Sequence, residues 1–193
     1  MTEKLRLFVG VPVDADVLPH VDALAAKLRD AWTAGRWKAS WVPAKSMHLT
    51  LDFLGDVEPA RADGIGPALD DLCLRPAFEI ELGGLGAFPS IERPSVLWLG
   101  VRTGVVELTA LAVEVQTRLA PLGFVPEARA YHPHVTLARV KRPGSALGPI
   151  LRTLDGHGTP GRQSRVRQIV LYRSVLEPSG RAYHPLRRIA LGT

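Results

Sequence analysis

The 193 residues are 46% hydrophobic and 22% charged, with a net charge of +5. That composition excludes a disordered chain and suits one domain, or two small lobes sharing a core. A lone cysteine, Cys73, excludes an intrachain disulfide and points to the cytoplasm.

The apolar run at 7–13 holds Gly10 and Pro12 and no A-x-A-like site follows, so no signal peptide is expected. No segment approaches the roughly 18 apolar residues of a membrane helix. Residues 5–11, rich in Leu, Phe and Val, predict a strand. Asp16 can cap a helix to about Trp32, with Val17, Val21, Leu24, Leu28 and Trp32 on one face. Residues 47–54 predict a second strand, closed by Gly55. A weaker helix covers 59–72, opposed by Gly64, Gly66 and Pro67. Cys73, among Leu69, Leu72 and Leu74, reads as a buried structural thiol. Residues 78–82 and 95–101 predict strands around a Gly/Pro-rich connection.

The order then restarts. Residues 105–122 predict an amphipathic helix, with Leu108, Leu111, Val115 and Leu119 in register and Gly123 as its stop. A strand follows at 134–140, and Leu147, Ile150, Leu151 and Leu154 mark a short helix. Residues 166–176 and 185–191 predict a closing strand pair joined by the turn Pro178-Ser179-Gly180. Strand, helix, His-x-Thr strand, helix, strand thus occurs twice. The expected fold is α+β: a bilobal pseudo-twofold duplication in one domain over 1–193. Its lobes fall roughly at 1–94 and 95–193, with some strand exchange. No Gly-rich phosphate loop follows the first strand, which opposes a dinucleotide-binding fold.

Charge is unevenly placed. Residues 1–128 carry 12 Lys+Arg against 17 Asp+Glu, whereas 129–193 carry 12 against 2. A basic C-terminal third suits an anionic partner such as RNA, or is a solvated basic surface.

The chemistry resides in His48-Leu49-Thr50 and His134-Val135-Thr136, whose histidines lie 86 residues apart. Alternation along a strand puts His48, Thr50 and Asp52 on one face and Leu49, Leu51 and Phe53 on the other. It likewise groups His132, His134, Thr136 and Ala138 against Val135 and Leu137. One histidine on a strand is usually structural; the same motif with the same apolar backing in both halves is not so easily structural. Two imidazoles facing one phosphate can divide general acid and general base between them. Each Thr hydroxyl can hold a non-bridging oxygen, and Arg139 can offset charge building there. Arg139 has the opposite parity to His134, so a bulge or a strand end near Ala138 is needed to bring it round.

These stretches resemble the bacterial and archaeal RNA 2',3'-cyclic phosphodiesterases, historically 2'-5' RNA ligases, of the 2H phosphoesterase superfamily. The resemblance runs through residues 5–12, Trp41-Val42-Pro43 to Gly55, residues 82–89, 96–101 and 133–139, and the tail 170–174 with Tyr183. It implies antiparallel sheets lining a central cleft with helices outside, and hydrolysis of cyclic phosphate ends to 2'-phosphates without cofactor or metal. It also implies reversible 2'-5' ligation. By position, His48 would be the general acid and His134 the general base, with Thr50, Thr136 and Arg139 holding substrate. Expected partners are RNA ends or oligonucleotides bearing the cyclic phosphate, for a monomer with no membrane association.

Other readings stand beside it. His132-x-His134 could seed a metal site, although a third ligand with fitting spacing is not apparent. His132 either touches substrate, tunes His134 or is a rim residue; His184 reads as a surface residue, and His20 and His157 carry no motif. The chain could instead be a non-catalytic nucleotide- or RNA-binding module, a cyclic phosphodiesterase for small nucleotides, or an exonuclease acting on RNA 3' ends.

Overall fold

The computed structural model describes residues 3–34, 38–142, 147–156, 162–178 and 180–192. His157 and Ser179 lie outside the described residues. In chain order the elements are β1 (Leu5–Pro12), α1 (Leu18–Ala34), β2 (Lys38–Trp41), β3 (His48–Val57), α2 (Pro59–Ala62), α3 (Ile65–Leu69) and β4 (Phe78–Phe88). There follow β5 (Val96–Thr103), α4 (Val105–Leu119), β6 (His134–Arg142), α5 (Leu147–Gly156), β7 (Arg162–Val166), β8 (Gln168–Glu177) and β9 (Gly180–Ala190).

The nine strands of the described residues join one antiparallel sheet in the order β7-β4-β5-β6-β3-β1-β8-β9, with β2 also paired to β6. The two motif strands sit at its centre. They meet at Leu49 opposite Val135, the residue after each motif histidine. Outward from that pair the order mirrors itself: β1, β8 and β9 on one side, β5, β4 and β7 on the other. Strands have been exchanged to build it, since β4 lies beside β5 and β8 beside β1.

Leu49, Leu51, Val135 and Leu137 are buried in one continuous core cluster, which also takes the inner faces of α1 and α4. The long helices cross over. α1 follows β1 but packs against β2 and α5, and α5 packs on β4; α4 follows β5 but packs behind β3. Gly123, left-handed at φ 79°, ends the short 3-10 turn Ala120–Leu122 that continues α4.

Several elements differ from the expected ones. β4 runs on to Phe88 because a bulge between Leu82 and Leu85 absorbs Gly83 and Gly84, the latter at φ 83°. β2 and β7 have little apolar alternation to reveal them, and they form by pairing with β6 and β4. The weak helix over 59–72 breaks into α2, α3 and a 3-10 turn, Asp70–Leu74. Gly66 leaves the room there: a Cβ would collide with the Arg187 side chain, whose guanidinium forks onto Asp70 at 2.6 and 2.7 Å. Cys73 is exposed, not buried as expected. Leu69 and Leu72, three apart, share the inner face, so the next residue turns outward. Among the described residues no helix is long and apolar enough to cross a membrane.

Candidate active site

Both motif strands carry the same irregularity. Against β1, Gly10 faces Thr50 and Val9 faces Asp52, so Leu51 is skipped. Against β5, Trp98 faces Thr136 and Leu97 faces Ala138, so Leu137 is skipped. Each bulge falls three residues after the motif histidine and reverses the alternation beyond it. Arg139 is thereby carried to the cleft, by the bulge rather than by a strand end near Ala138, while Ala138 is buried. The same reversal corrects the assignment of Asp52 and Phe53. Asp52 turns into the helix side, where Gln116 of α4 hydrogen-bonds it, and Phe53 comes round to the cleft face. Burial raises the Asp52 carboxyl above its ordinary range against those hydrogen bonds.

The two imidazoles are held alike. His48 Nδ1 lies 2.8 Å from the carbonyl oxygen of Ser46, and His134 Nδ1 lies 2.7 Å from that of His132. A carbonyl can only accept, so Nδ1 carries the proton in each ring and Nε2 is left for chemistry. Burial pushes the His48 imidazole down to about 4, with smaller contributions from the charges of His134 and Arg139, against the Ser46 hydrogen bond. His134 is also lowered, first by burial and then by the charges of His132 and Arg139, against its own carbonyl bond. Without an anion present, both rings are therefore neutral at neutral pH.

Aromatic rings fix the imidazole planes. Phe8 stacks on His48 at 4.7 Å between centroids, and Tyr183 meets its edge at 5.0 Å. Phe88 meets His134 edge-on at 5.0 Å, with Trp98 tilted beside it at 6.3 Å. Gly86 makes way for Trp98, whose indole ring occupies the space a Cβ would need.

A cleft of about 430 Å³ brings His48, Thr50, Thr136 and Arg139 together. His134 is not among the lining residues. It stands at the margin, near enough for its charge to act on His48. The wall is completed by groups that strand periodicity alone did not single out: Arg6 and Phe53, and Ser174, Arg181 and Tyr183 from the closing hairpin. Phe53 had a signal in the sequence, because it stands five residues after His48 as Arg139 stands five after His134. Arg181 had none beyond the basic character of the C-terminal third, and periodicity gave Arg6 none. Among the described residues no carboxylate lines the cleft.

His132 is exposed and packs edge-on to Trp98 at 4.9 Å. Its ring centroid lies 6.3 Å from that of His134, whose Nδ1 is already committed to a carbonyl. Among the described residues no three His, Cys, Asp or Glu side chains are grouped to hold a metal ion. His184 is at the surface, 3.2 Å from Glu177.

A protein of Aeropyrum pernix named RNA 2',3'-cyclic phosphodiesterase is 39% identical over 166 residues, covering 85% of this chain and 93% of its own. One of Archaeoglobus fulgidus with the same name is 33% identical over 183 residues, covering 95% and 98%. The crystal structure of apo E. coli LigT superposes with a TM-score of 0.76 at 25% identity, covering all of both chains. A Thermus thermophilus protein superposes with a TM-score of 0.75 at 26% identity, covering 97% of this chain and 98% of its own. The family model described as LigT like Phosphoesterase matches residues 11–98 and 100–183, one stretch around each motif. By that match and by the identity to those relatives, the chain belongs to the LigT-like phosphoesterases.

Proposed function

We propose that this protein hydrolyses RNA 2',3'-cyclic phosphate ends to 2'-phosphomonoesters by two-histidine acid–base catalysis. The observation that carries the reading is the matched pair of imidazoles, each with Nδ1 tied to the carbonyl two residues earlier and Nε2 left free. The activity named for the relatives of Aeropyrum pernix and Archaeoglobus fulgidus supports it.

In the proposed step, water attacks phosphorus in line with the 3' oxygen. His134 Nε2 takes the water proton and the P–O3' bond breaks. His48, protonated at Nε2, gives its proton to O3', leaving a 3'-hydroxyl and a 2'-phosphate. Thr50 and Thr136 hold the non-bridging oxygens, and Arg139 offsets the charge that builds on them. A neutral His48 must first gain that proton. The anionic phosphate beside it favours the charged ring and opposes the burial that otherwise lowers its pKa. If a 5'-hydroxyl takes the place of water, the same bond changes join two RNAs through a 2'-5' linkage.

The chain is read as a monomeric, cytoplasmic enzyme of one domain with two exchanged halves, supported by the continuous core and the single cysteine. The test is turnover of an oligonucleotide with a 2',3'-cyclic end in excess chelator, with the product's phosphate position identified. Formation of a 2'-phosphomonoester end at full rate is expected. A 3'-phosphate product, or a rate abolished by chelation and restored by a divalent cation, would overturn the mechanism.

A further inference from the structure

We infer that the β1–β8–β9 end of the cleft is a second anion subsite that takes the phosphodiester neighbouring the reacting one. An oligonucleotide end is then a better substrate than a cyclic mononucleotide. The inference rests on the proposed function for the identity of the first phosphate.

A cyclic phosphate carries one negative charge, yet among the described residues three guanidinium groups, Arg6, Arg139 and Arg181, line the cleft and no carboxylate does. Thr50, Thr136 and Arg139 suffice for the reacting phosphate. Arg6 is partly offset by Asp56, 3.4 Å away and outside the cleft lining. Arg181 then remains, donating from Nη1 to Ser174 Oγ at 2.9 Å. Among the described residues neither Arg139 nor Arg181 pairs with a carboxylate. Their neighbours in the basic third do: Arg165 with Glu79, Arg167 with Asp14, Arg173 with Glu3 and Arg187 with Asp70. An arginine that donates to a hydroxyl in a cleft without acids keeps donors for an incoming anion.

Register places this group away from the reacting centre. Gly10 of β1 faces Thr50, and Arg6 lies four residues further along, roughly 13 Å at the rise of a strand. Leu7 faces Arg173, so Arg6 and Ser174 come next on the cleft face, in line with Phe8 and Tyr172. Across the hairpin, Ser174 faces Tyr183 and Leu176 faces Arg181, which brings Arg181 back over Ser174. The cleft thus holds two separate sets of phosphate donors along one strand direction.

The test compares a 2',3'-cyclic mononucleotide with a trinucleotide ending in the same cyclic phosphate, across a salt series. Variants are Arg181→Gln and, as a control for net charge, Arg165→Gln at the far edge of the sheet. Arg181→Gln is expected to lower kcat/KM for the trinucleotide through KM, about tenfold more than for the mononucleotide. It should also flatten the trinucleotide's log–log salt slope by roughly 0.7, the value of one single-strand phosphate contact. Arg165→Gln should leave the ratio of the two substrates unchanged. Equal losses on both substrates, or none on either, would overturn the subsite. A parallel titration with the 2'-phosphorylated trinucleotide and 2'-mononucleotide reads the same ratio from binding alone. Absent turnover with a preserved binding ratio would then fault the proposed reaction and keep the subsite.

Discussion

The half of the sheet around His48 and the half around His134 share strand order, motif, bulge and imidazole anchoring, yet they surround the motif differently. Five residues after His48 comes a phenyl ring; five after His134 comes a guanidinium. His48 sits among Phe8, Tyr172 and Tyr183, whereas His134 has a second imidazole, His132, within its aromatic group. The cleft also opens toward the His48 side, where β8 and β9 add Ser174 and Arg181. The two halves therefore supply two similarly held imidazoles in unlike surroundings, with the charge of Arg139 acting on both. A symmetric site could neither assign acid and base nor orient a substrate whose two bridging oxygens differ.

The largest expected effect tests what the halves share. His48→Ala and His134→Ala should each slow turnover by on the order of 10²–10⁴, the value of one general acid or base. A loss confined to one of them would break the pairing on which the two-histidine step depends. The next tests what they do not share. Arg139→Ala should lower kcat by about 10²–10³, as removal of a charge-stabilising donor does, while Phe53→Leu should act mainly on KM. Equal kcat losses from both substitutions would mean that the cation is not distinguished from the ring.

A smaller effect concerns His132. Its charge helps hold His134 low, so His132→Gln should raise the pKa of His134. Followed by NMR, the His134 ring should therefore titrate at higher pH than in the parent chain. An unmoved titration would make His132 a rim residue only. The smallest effect is on stability. The folded His48 pKa of about 4 lies below the ordinary 6.5, so the unfolded chain binds the extra proton first. Stability from this group is complete above 6.5 and is lost as pH falls toward 4. Denaturant titrations of His48→Gln should show a shallower loss across that window than the parent chain; an unchanged slope would place the acid sensitivity elsewhere.

Much of the site was legible because its residues are strongly typed and repeated. Two His-x-Thr triplets on apolar-backed strands announce a pair of polar faces at a core. Parity even registered Arg139 as a conflict that a bulge or a strand end had to resolve, and the structure has the bulge. Parity failed at Asp52 and Phe53, where the same bulge occurs in the first strand. Nothing local marks it, since Leu51 is buried like Leu49 before it and the skipped position arises from pairing with β1. Cys73 failed for a related reason: apolar neighbours predict burial only when the helical period is known, and the segment adopts a 3-10 turn there.

By itself the sequence determined the two motifs, their apolar backing, most of the strands and the duplicated order, because these follow from side-chain period within a few consecutive residues. Only the tertiary structure decided that β4 and β8 exchange sides, that each motif strand bulges three residues after its histidine, and that Arg6 and Arg181 share one cleft. Those facts depend on register between strands far apart in the chain, and register is set by the whole sheet closing around one core.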